Sequence, residues 1–327
     1  MNNNQLTIII PTYNRKERLK KLLKSFEADN KKYEEYKIII LNNDSNYDVS
    51  QMLKDNFNKL FLEKIVVINN KINIGMIGNV SNCLNIIDRG WVWLISDDDE
   101  ITENAINTVQ NTVQKNSEIS FIKFSTEGIG ESGEEKDMIV ESLECLIDYY
   151  YKKTRGSSGN LVFMSNNLFH IELLSEFIKF AYDYSYTQVP HIIPILMGLN
   201  ARKIKIKFSS EKVIKYIPPD GDHWNVSKIA LGASTFSHLP LNLSKDYRKK
   251  YLEIIMWINY RWCLLSLIKN QEKNSKKIFN QLYTNIYKEY LPFKDRIIAK
   301  TFCLILGEKS NSILLKSIEI LKKFRRN

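Results

Sequence analysis

Three adjacent carboxylates are the residues whose type and spacing point most directly to chemistry. Asp97, Asp98 and Asp99 come after the apolar run Trp91 to Ile95, separated from it by Ser96. Like charges this close repel one another unless a cation or hydrogen-bond donors compensate. Mg²⁺ and Mn²⁺ favour carboxylate oxygens, and a metal held in this way neutralises a diphosphate leaving group. The cluster predicts either a metal site or a solvated acidic turn that caps the next helix.

Two more polar clusters follow apolar runs. The sequence TYNR directly follows the run Leu6 to Pro11, and NND directly follows the run Tyr36 to Leu41. These runs, with Lys64 to Ile68 and Trp91 to Ile95, are short and rich in β-branched residues, which predicts buried strands. Ligands of α/β sheets bind beyond the carboxyl ends of the strands, where all three polar clusters fall.

Helical patterns separate these strands. The apolar residues Leu19, Leu22, Leu23 and Phe26 lie on one helical face. A second face is predicted from Ile77, Val80, Leu84 and Ile87. The alternation predicts an α/β fold, a sheet covered by helices.

The pattern is less regular in the second half of the chain. We expect strands at residues 119–124, 161–164, 203–208 and 212–217, and a helix at 189–199 that Pro194 kinks. From Lys245 onward helical patterning and basic charge dominate. The predicted organisation is a domain at 1–240 and a helical, basic C-terminal region at 241–327.

Charge and composition narrow the class of protein. The 327 residues are 44% hydrophobic and 26% charged, which excludes a disordered or fibrous chain. From Lys245 to the end there are 19 Lys/Arg and 7 Asp/Glu, whereas the first 244 residues are slightly acidic. The basic region suggests an anionic partner, or simply a lysine-rich solvated surface. Four scattered cysteines and the lack of a signal or spanning segment predict a cytoplasmic protein.

The polar clusters occur in an order that resembles a known family. TIIIPTYNR, NND, the segment Asn73-Ile74-Gly75 and LISDDDE follow one another as in the family 2 glycosyltransferases of the GT-A fold. The spelling N-I-G-x-x-x-N before W-x-W-L-x-S-D-D-D is similar to the bacterial surface-polysaccharide branch, including abequosyltransferase-like proteins. The resemblance implies a Rossmann-like mixed sheet and a metal-dependent, inverting transferase.

The resemblance assigns roles to individual residues. It implies that the base and ribose of a nucleotide lie on the first loop, at Pro11, Thr12, Tyr13 and Arg15. Asp44 would read the base, as a carboxylate can accept from a pyrimidine N–H, although an Asx turn is the alternative. The segment under the ribose and diphosphate would comprise Asn73, Gly75 and Asn79. Many members carry an arginine in the helix that follows, and this chain has none there.

The acidic motif can be aligned in two registers. In one register, Ser96 stands at the position where family members have the first acid. In the other register, the motif begins at Asp97. In the first register Asp98 and Asp99 fill the last two acidic positions, and in the second Asp97 and Asp99 form a plain Asp-x-Asp with Asp99 as the metal ligand. We expect Asp99 first as a metal ligand, and then Asp97. Asp97 or Asp98 would contact the ribose, and Asp98 is also expected to be a catalytic residue.

The expected general base is not where the family usually has it. A Glu-Asp pair normally supplies it, whereas residues 186–191 contain no acid. We expect His191 to take this role because its unperturbed pKa suits proton transfer. A structural histidine is the alternative, and Asp183, Asp220 and Asp222 are other candidate bases. The missing acid is also compatible with a catalytically inactive protein.

A late turn-rich segment, residues 218–225, offers further ligands. We expect His223 to complete the metal site, as late histidines do in some GT-A enzymes, and Trp224 to stack on a sugar. A surface turn with a packed tryptophan is the alternative.

The last residues, SILLKSIEILKKFRRN, form a basic amphipathic helical pattern. Such a helix lies on an anionic membrane surface, or packs in a bundle or homo-oligomer. No motif for nucleic acid recognition accompanies the charge, and we expect no nucleic acid partner.

The sequence thus predicts a glycosyltransferase that moves a sugar from a nucleotide donor and uses Mn²⁺ or Mg²⁺ as its cofactor. UDP is the first expected nucleotide of the donor. The acceptor would be a glycan or lipid-linked precursor of a bacterial surface polysaccharide, at the inner face of the membrane. A nucleotidyltransferase is disfavoured because such an enzyme normally has a glycine-rich loop after its first strand. The corresponding segment here, PTYNRKER, contains no glycine. A silent sugar-nucleotide or glycan-binding subunit is the remaining alternative.

Overall fold

The computed structural model describes residues 5–29, 36–153, 159–217, 232, 234–255, 260–269 and 274–306. These residues divide into two compact units. The first holds the sheet and the helices around it. The second holds the C-terminal helices, together with short pieces near residues 150 and 187.

The first unit is built on a nine-stranded mixed sheet. Strand order along it is β3-β2-β1-β4-β8-β6-β9-β5, with β7 also paired to β9. The strands are β1 (Leu6–Thr12), β2 (Tyr36–Asn42), β3 (Ile65–Asn69), β4 (Trp91–Leu94), β5 (Glu100–Ile101), β6 (Phe121–Glu127), β7 (Met138–Val140), β8 (Asn167–His170) and β9 (Ile206–Lys215).

Helices connect these strands and flank the sheet. They are α1 (Lys16–Asp29), α2 (Val49–Asn56), α3 (Lys59–Leu62), α4 (Gly75–Cys83), α5 (Ala105–Gln114), α6 (Leu143–Lys152), α7 (Gly159–Val162), α8 (Ile171–Asp183) and α9 (Ile193–Asn200). The predicted α/β class is therefore confirmed.

The first four strands are parallel to one another, in the order β3-β2-β1-β4. The apolar residues of β1, β2 and β4 are buried because helices cover the sheet, as parallel strands require. The edge strand β3 is only partly buried. The predicted face of α1 is confirmed: Leu19, Leu22, Leu23 and Phe26 are all buried. Phe26 packs edge-on against Trp93 of β4, with ring centroids 5.9 Å apart. The parallel register brings the ends of β1, β2 and β4 to one edge.

The predicted strand at 161–164 is wrong. These residues follow or belong to the helical turn α7, and the strand begins later, at Asn167. The reason is the buried Lys123 of β6, whose ammonium donates to Phe163 O (3.1 Å), to Asn167 Oδ1 (3.0 Å) and to Asn166 Oδ1. A buried ammonium needs several oxygen acceptors, and an irregular segment supplies them where a strand ladder would not.

Two other predicted elements also differ. The strands at 203–208 and 212–217 are one strand, β9, whose register against β6 shifts near Ser125. Ser210 and Glu211, which the register skips, form a bulge inside β9. Pro194 does not kink a helix, because it lies in the first turn of α9, where its missing N–H costs nothing.

The second unit contains the C-terminal helices. They are α10 (Lys245–Ile255), α11 (Tyr260–Lys269), α12 (Ser275–Leu282), α13 (Lys288–Tyr290) and α14 (Phe293–Ile305), with a π-helical turn at Tyr283–Tyr287. The predicted helical C-terminal region is confirmed in this part. The basic pattern from Ser310 onward lies outside the described residues and stays a prediction. In the parts described, no helix has the length and apolar character that a membrane crossing requires.

Gly90 allows a test of the close approach between the start of β4 and the residue before β1. Its φ is +81°, and a Cβ there would lie 2.7 Å from the carbonyl oxygen of Gln5. Gly130 also has a positive φ, +65°, but open space around it. Gly130→Ala should lower the free energy of unfolding by about 1–2 kcal/mol through backbone strain alone. Gly90→Ala should cost about 1–3 kcal/mol more, through the clash.

Chemical denaturation of both variants checks this prediction. Equal losses of unfolding free energy would show that the close approach to Gln5 does not constrain the fold.

Candidate active site

The loops that follow β1 and β2 are tied to each other by hydrogen bonds. Asn43 N donates to Thr12 O at 2.9 Å, and Asn14 N donates to Ser45 Oγ at 2.9 Å. Asn46 N in turn donates to Asn14 Oδ1 at 2.7 Å. These bonds bring together the two polar clusters that the sequence placed at neighbouring strand ends.

Both loops turn through left-handed residues and present exposed side chains. Asn14 has φ +55° and Asp44 has φ +65°, a conformation that Asn and Asp adopt more readily than most residues. Tyr13 is 44% exposed, and the Asp44 carboxylate is also exposed. Pro11 is half-buried, and Thr12 is buried. Tyr13 and Asp44 are therefore accessible to a ligand, whereas the buried Thr12 side chain is not.

Asp97 joins the acidic motif to the loop after β1. Its side chain is buried, and its two oxygens accept from Thr12 Oγ1 at 2.6 Å and from Arg15 Nη1 at 3.0 Å. Burial raises the pKa of Asp97, while Arg15 and Thr12 oppose that shift. The carboxylate is therefore compensated by donors rather than left exposed to repulsion.

Asp98 is held by two arginines. Its Oδ2 lies 2.8 Å from Arg15 Nη1 and 3.2 Å from Arg18 Nη1, and its Oδ1 accepts from Ser96 Oγ. Burial lowers the pKa of Arg15, but Asp97 and Asp98 outweigh it, and the pKa is raised. Sequence reasoning missed Arg18. The available signal was its spacing, since residues i and i+3 in the first turn of a helix share a face.

Asp99 points into the protein. It is buried, and its Oδ2 accepts from Ser165 Oγ at 2.6 Å. Ser165 is fixed in turn, because its Oγ accepts from Ser96 N at 2.8 Å and its carbonyl accepts from Trp93 Nε1 at 2.8 Å. Burial raises the pKa of Asp99 to about 7; Ser165 opposes this shift, and Asp98 and Asp97 add to it. No local sequence signal indicated Ser165.

A network of asparagine side chains supports the β2–β3 edge. Asn43 Oδ1 accepts from Ile74 N at 3.0 Å and from Asn70 Nδ2 at 2.9 Å, while Asn43 Nδ2 donates to Asn73 Oδ1 at 2.8 Å. Asn73 Oδ1 also accepts from Gly75 N at 2.8 Å. Asn43 is buried, and it therefore fixes the loop that leads into α4.

Asn79 serves the same network from within α4. It is buried, its Nδ2 donates to Leu41 O at 3.1 Å, and its Oδ1 accepts from Asn70 Nδ2 at 2.8 Å. These contacts make Asn79 a support under the loop. Asn73 and Gly75 are exposed at the start of α4, with Gly75 at φ +78°. Of the three residues expected under the ribose and diphosphate, these two remain accessible.

His191 lies apart from this cluster. It is buried, and its Nε2 lies 3.0 Å from Val162 O, which makes Nε2 the donor. Burial, together with the nearby Lys123 ammonium, lowers its pKa to about 3. A group that takes a proton from a bound acceptor must be reachable, and this histidine is not, so the structural interpretation is the better one. Asp183 is exposed at the end of α8, and Asp220, Asp222, His223 and Trp224 lie outside the described residues.

The acidic motif does not have the geometry of a metal site in this arrangement. The carboxylate oxygens are the right kind of ligand for Mg²⁺ or Mn²⁺. However, arginines pair with Asp97 and Asp98, and Asp99 is hydrogen-bonded to Ser165. In the described part of the chain, no three His, Cys, Asp or Glu side chains are grouped as metal ligands. The positive charge beside the motif comes from Arg15 and Arg18.

The raised pKa of Asp99 predicts a pH-dependent stability. Between about pH 4, the ordinary pKa of an aspartate, and pH 7, the folded state keeps a proton that the unfolded state releases. This stabilising contribution is present at low pH and is lost as pH rises through 7. The free energy of unfolding of the wild type should therefore fall between pH 5 and pH 8 relative to that of Asp99→Asn.

Urea denaturation at several pH values measures this difference, with the exposed Asp88→Asn as the control. A gap between wild type and Asp99→Asn that does not change with pH would contradict the buried, protonated state.

Comparison with known proteins places the fold in a family. A family model described as Glycosyl transferase family 2 matches residues 7–175, just over half of the chain. No curated protein matches the sequence at a significant level.

Solved structures of S. aureus TarS 1–349 share the fold at 12% identity. The UDP complex has a TM-score of 0.61 and covers 96% of this chain and 91% of that chain. The UDP-GlcNAc complex has a TM-score of 0.62, with coverages of 86% and 81%. The family match and this similarity confirm the expected GT-A fold. The chain belongs to glycosyl transferase family 2.

Proposed function

We propose that this protein transfers a sugar from a UDP-linked donor to a glycan or lipid-linked acceptor of a bacterial surface polysaccharide. The observation that carries the proposal is the network in which Thr12 and Arg15 from the first loop hold Asp97 of the acidic motif. It joins the expected nucleotide loop to the expected acidic motif in one site. Family membership and the UDP and UDP-GlcNAc complexes of TarS support the donor class.

The base of the nucleotide is proposed to bind between the first two loops. Tyr13 offers an exposed ring for stacking, and Asp44 offers a carboxylate that accepts from the N–H of uracil. The loops that carry them are fixed to each other through Asn14, Ser45 and Asn46. Asn73 and Gly75 border the same edge and are proposed to contact the ribose or the first phosphate.

Arg15 and Arg18 are proposed to contact the diphosphate. The helix after Asn73 lacks the arginine that many family members carry, and these two residues supply cations from the other side of the site. A guanidinium has five N–H donors in a planar fork, so it can contact a carboxylate and a phosphate at the same time. Positive charge at the leaving diphosphate favours cleavage of the bond to the sugar.

A divalent cation remains a prediction for this site, with Asp99 first, then Asp97, and His223 as the third expected ligand. If bound, the cation would neutralise charge on the departing diphosphate. Asp98 stays a predicted catalytic residue. The general base stays open between Asp183, Asp220 and Asp222, because His191 is buried. The abequosyltransferase-like branch also stays a prediction.

A silent sugar-nucleotide-binding subunit is the second candidate, favoured by the burial of His191 and the lack of an acid at 186–191. Both candidates predict UDP binding. Only the enzyme releases UDP from a UDP-sugar through slow hydrolysis or transfer, so product formation by the purified protein separates them.

Asp44→Asn tests the proposed base-binding site. Asparagine tolerates the left-handed backbone of this position and keeps the shape of the side chain, but it removes the charge. The affinity for UDP should fall by about 1 kcal/mol, the difference between a charged and a neutral hydrogen bond. Isothermal titration calorimetry measures it, with and without Mn²⁺.

Asp88→Asn is the matched control, because Asp88 is exposed on the surface and pairs with its neighbour Arg89. Unchanged UDP affinity in Asp44→Asn would leave Asp44 as a turn residue only. Absence of UDP binding to the wild type under all conditions would reject the donor class.

A further inference from the structure

The last described helix, α14, exposes large apolar side chains to solvent. Phe293 and Leu304 are 69% and 70% exposed, and three isoleucines of the same helix are also exposed. We call this set the α14 outer face; it comprises Phe293, Ile297, Ile298, Leu304 and Ile305. At 100° per residue these positions fall within about 140° of one another, on one side of the helix.

The opposite side of α14 is buried and carries smaller residues, chiefly Ala299 and Cys303. A surface helix normally turns its large apolar residues inward and its polar residues outward. Here the order is reversed. Contiguous exposed apolar surface of this kind marks a site of interaction with a protein or a membrane.

The charges around the α14 outer face decide between these partners. Lys294 and Lys300 are exposed on the same side of the helix. The one acid of the helix, Asp295, accepts from Arg261 Nη2 at 2.9 Å and pairs with Tyr260. The face therefore presents apolar side chains and cations together.

A second copy of this chain fits such a face poorly. From Lys245 onward basic residues outnumber acidic ones by 19 to 7, so two copies would oppose like charges. An anionic bilayer fits better, because apolar side chains enter the boundary between headgroups and acyl chains while lysines extend to the phosphates.

We propose that the α14 outer face docks this protein on the surface of an anionic phospholipid bilayer. Phe293, Ile297 and Leu304 enter the bilayer interface, and Lys294 and Lys300 contact the anionic headgroups. This inference is independent of the proposed sugar transfer, because it concerns the second unit and needs no nucleotide.

The test is flotation of the full chain with vesicles of phosphatidylcholine and phosphatidylglycerol in equal parts. The wild type should float, and binding should fall as salt screens the charges. The double variant Phe293→Gln, Leu304→Gln should bind at least about tenfold more weakly, since two large apolar side chains no longer enter the bilayer interface. Both sites are exposed, and glutamine is a good helix former, so thermal stability should stay unchanged.

Leu60→Gln is the matched control, because Leu60 is an equally exposed leucine, 75%, on a helix of the first unit. It should float like the wild type. Failure of the wild type to float, equal binding to pure phosphatidylcholine, or equal binding by the double variant would overturn the proposal.

Two other outcomes would assign the face to protein. Loss of thermal stability in the double variant would mean that the face packs within the chain. A dimer seen by light scattering for the wild type and lost in the double variant would mean that a second copy covers it. Either result also overturns docking on a bilayer.

Discussion

The burial of the Asp97 carboxylate is the constraint on which the rest of the site depends. A buried carboxylate is costly unless donors reach it, and its two donors are Thr12, the last residue of β1, and Arg15 in the loop that follows. The acidic turn and the first loop therefore cannot move independently. Because Asn43 and Asn14 bind this loop to the one after β2, the same constraint extends to Asp44.

Charged side chains stabilise one side of this sheet edge, and neutral amide side chains stabilise the other. On the acidic side, Arg15 and Arg18 compensate Asp97 and Asp98. On the side of β2 and β3, asparagine amides satisfy one another and carry no net charge. An amide both donates and accepts, so a cluster of amides can hold a loop rigid without the desolvation penalty of ions. An anionic ligand would thus meet positive charge chiefly from the arginine side.

The sequence predicted the parts of the fold that local patterns encode. The first four strands and the buried face of α1 appear where apolar periodicity placed them, and the polar clusters share one edge because these strands are parallel. Contacts between distant residues were not predictable in this way. Ser165 reaches Asp99 across 66 positions, through the antiparallel pairing of β8 with β4. The false strand at 161–164 has the same origin, since the acceptors that Lys123 requires come from about 40 residues away.

The arginines beside the acidic motif are proposed to bind the diphosphate of the donor. The most direct measurement is the gain in affinity from UMP to UDP, compared in the wild type, Arg18→Gln and the control Lys16→Gln. Lys16 is exposed in the same helical turn and loses the same charge. The gain from UMP to UDP should fall about tenfold, or about 1.4 kcal/mol, in Arg18→Gln alone. An equal gain from UMP to UDP in all three proteins would contradict it.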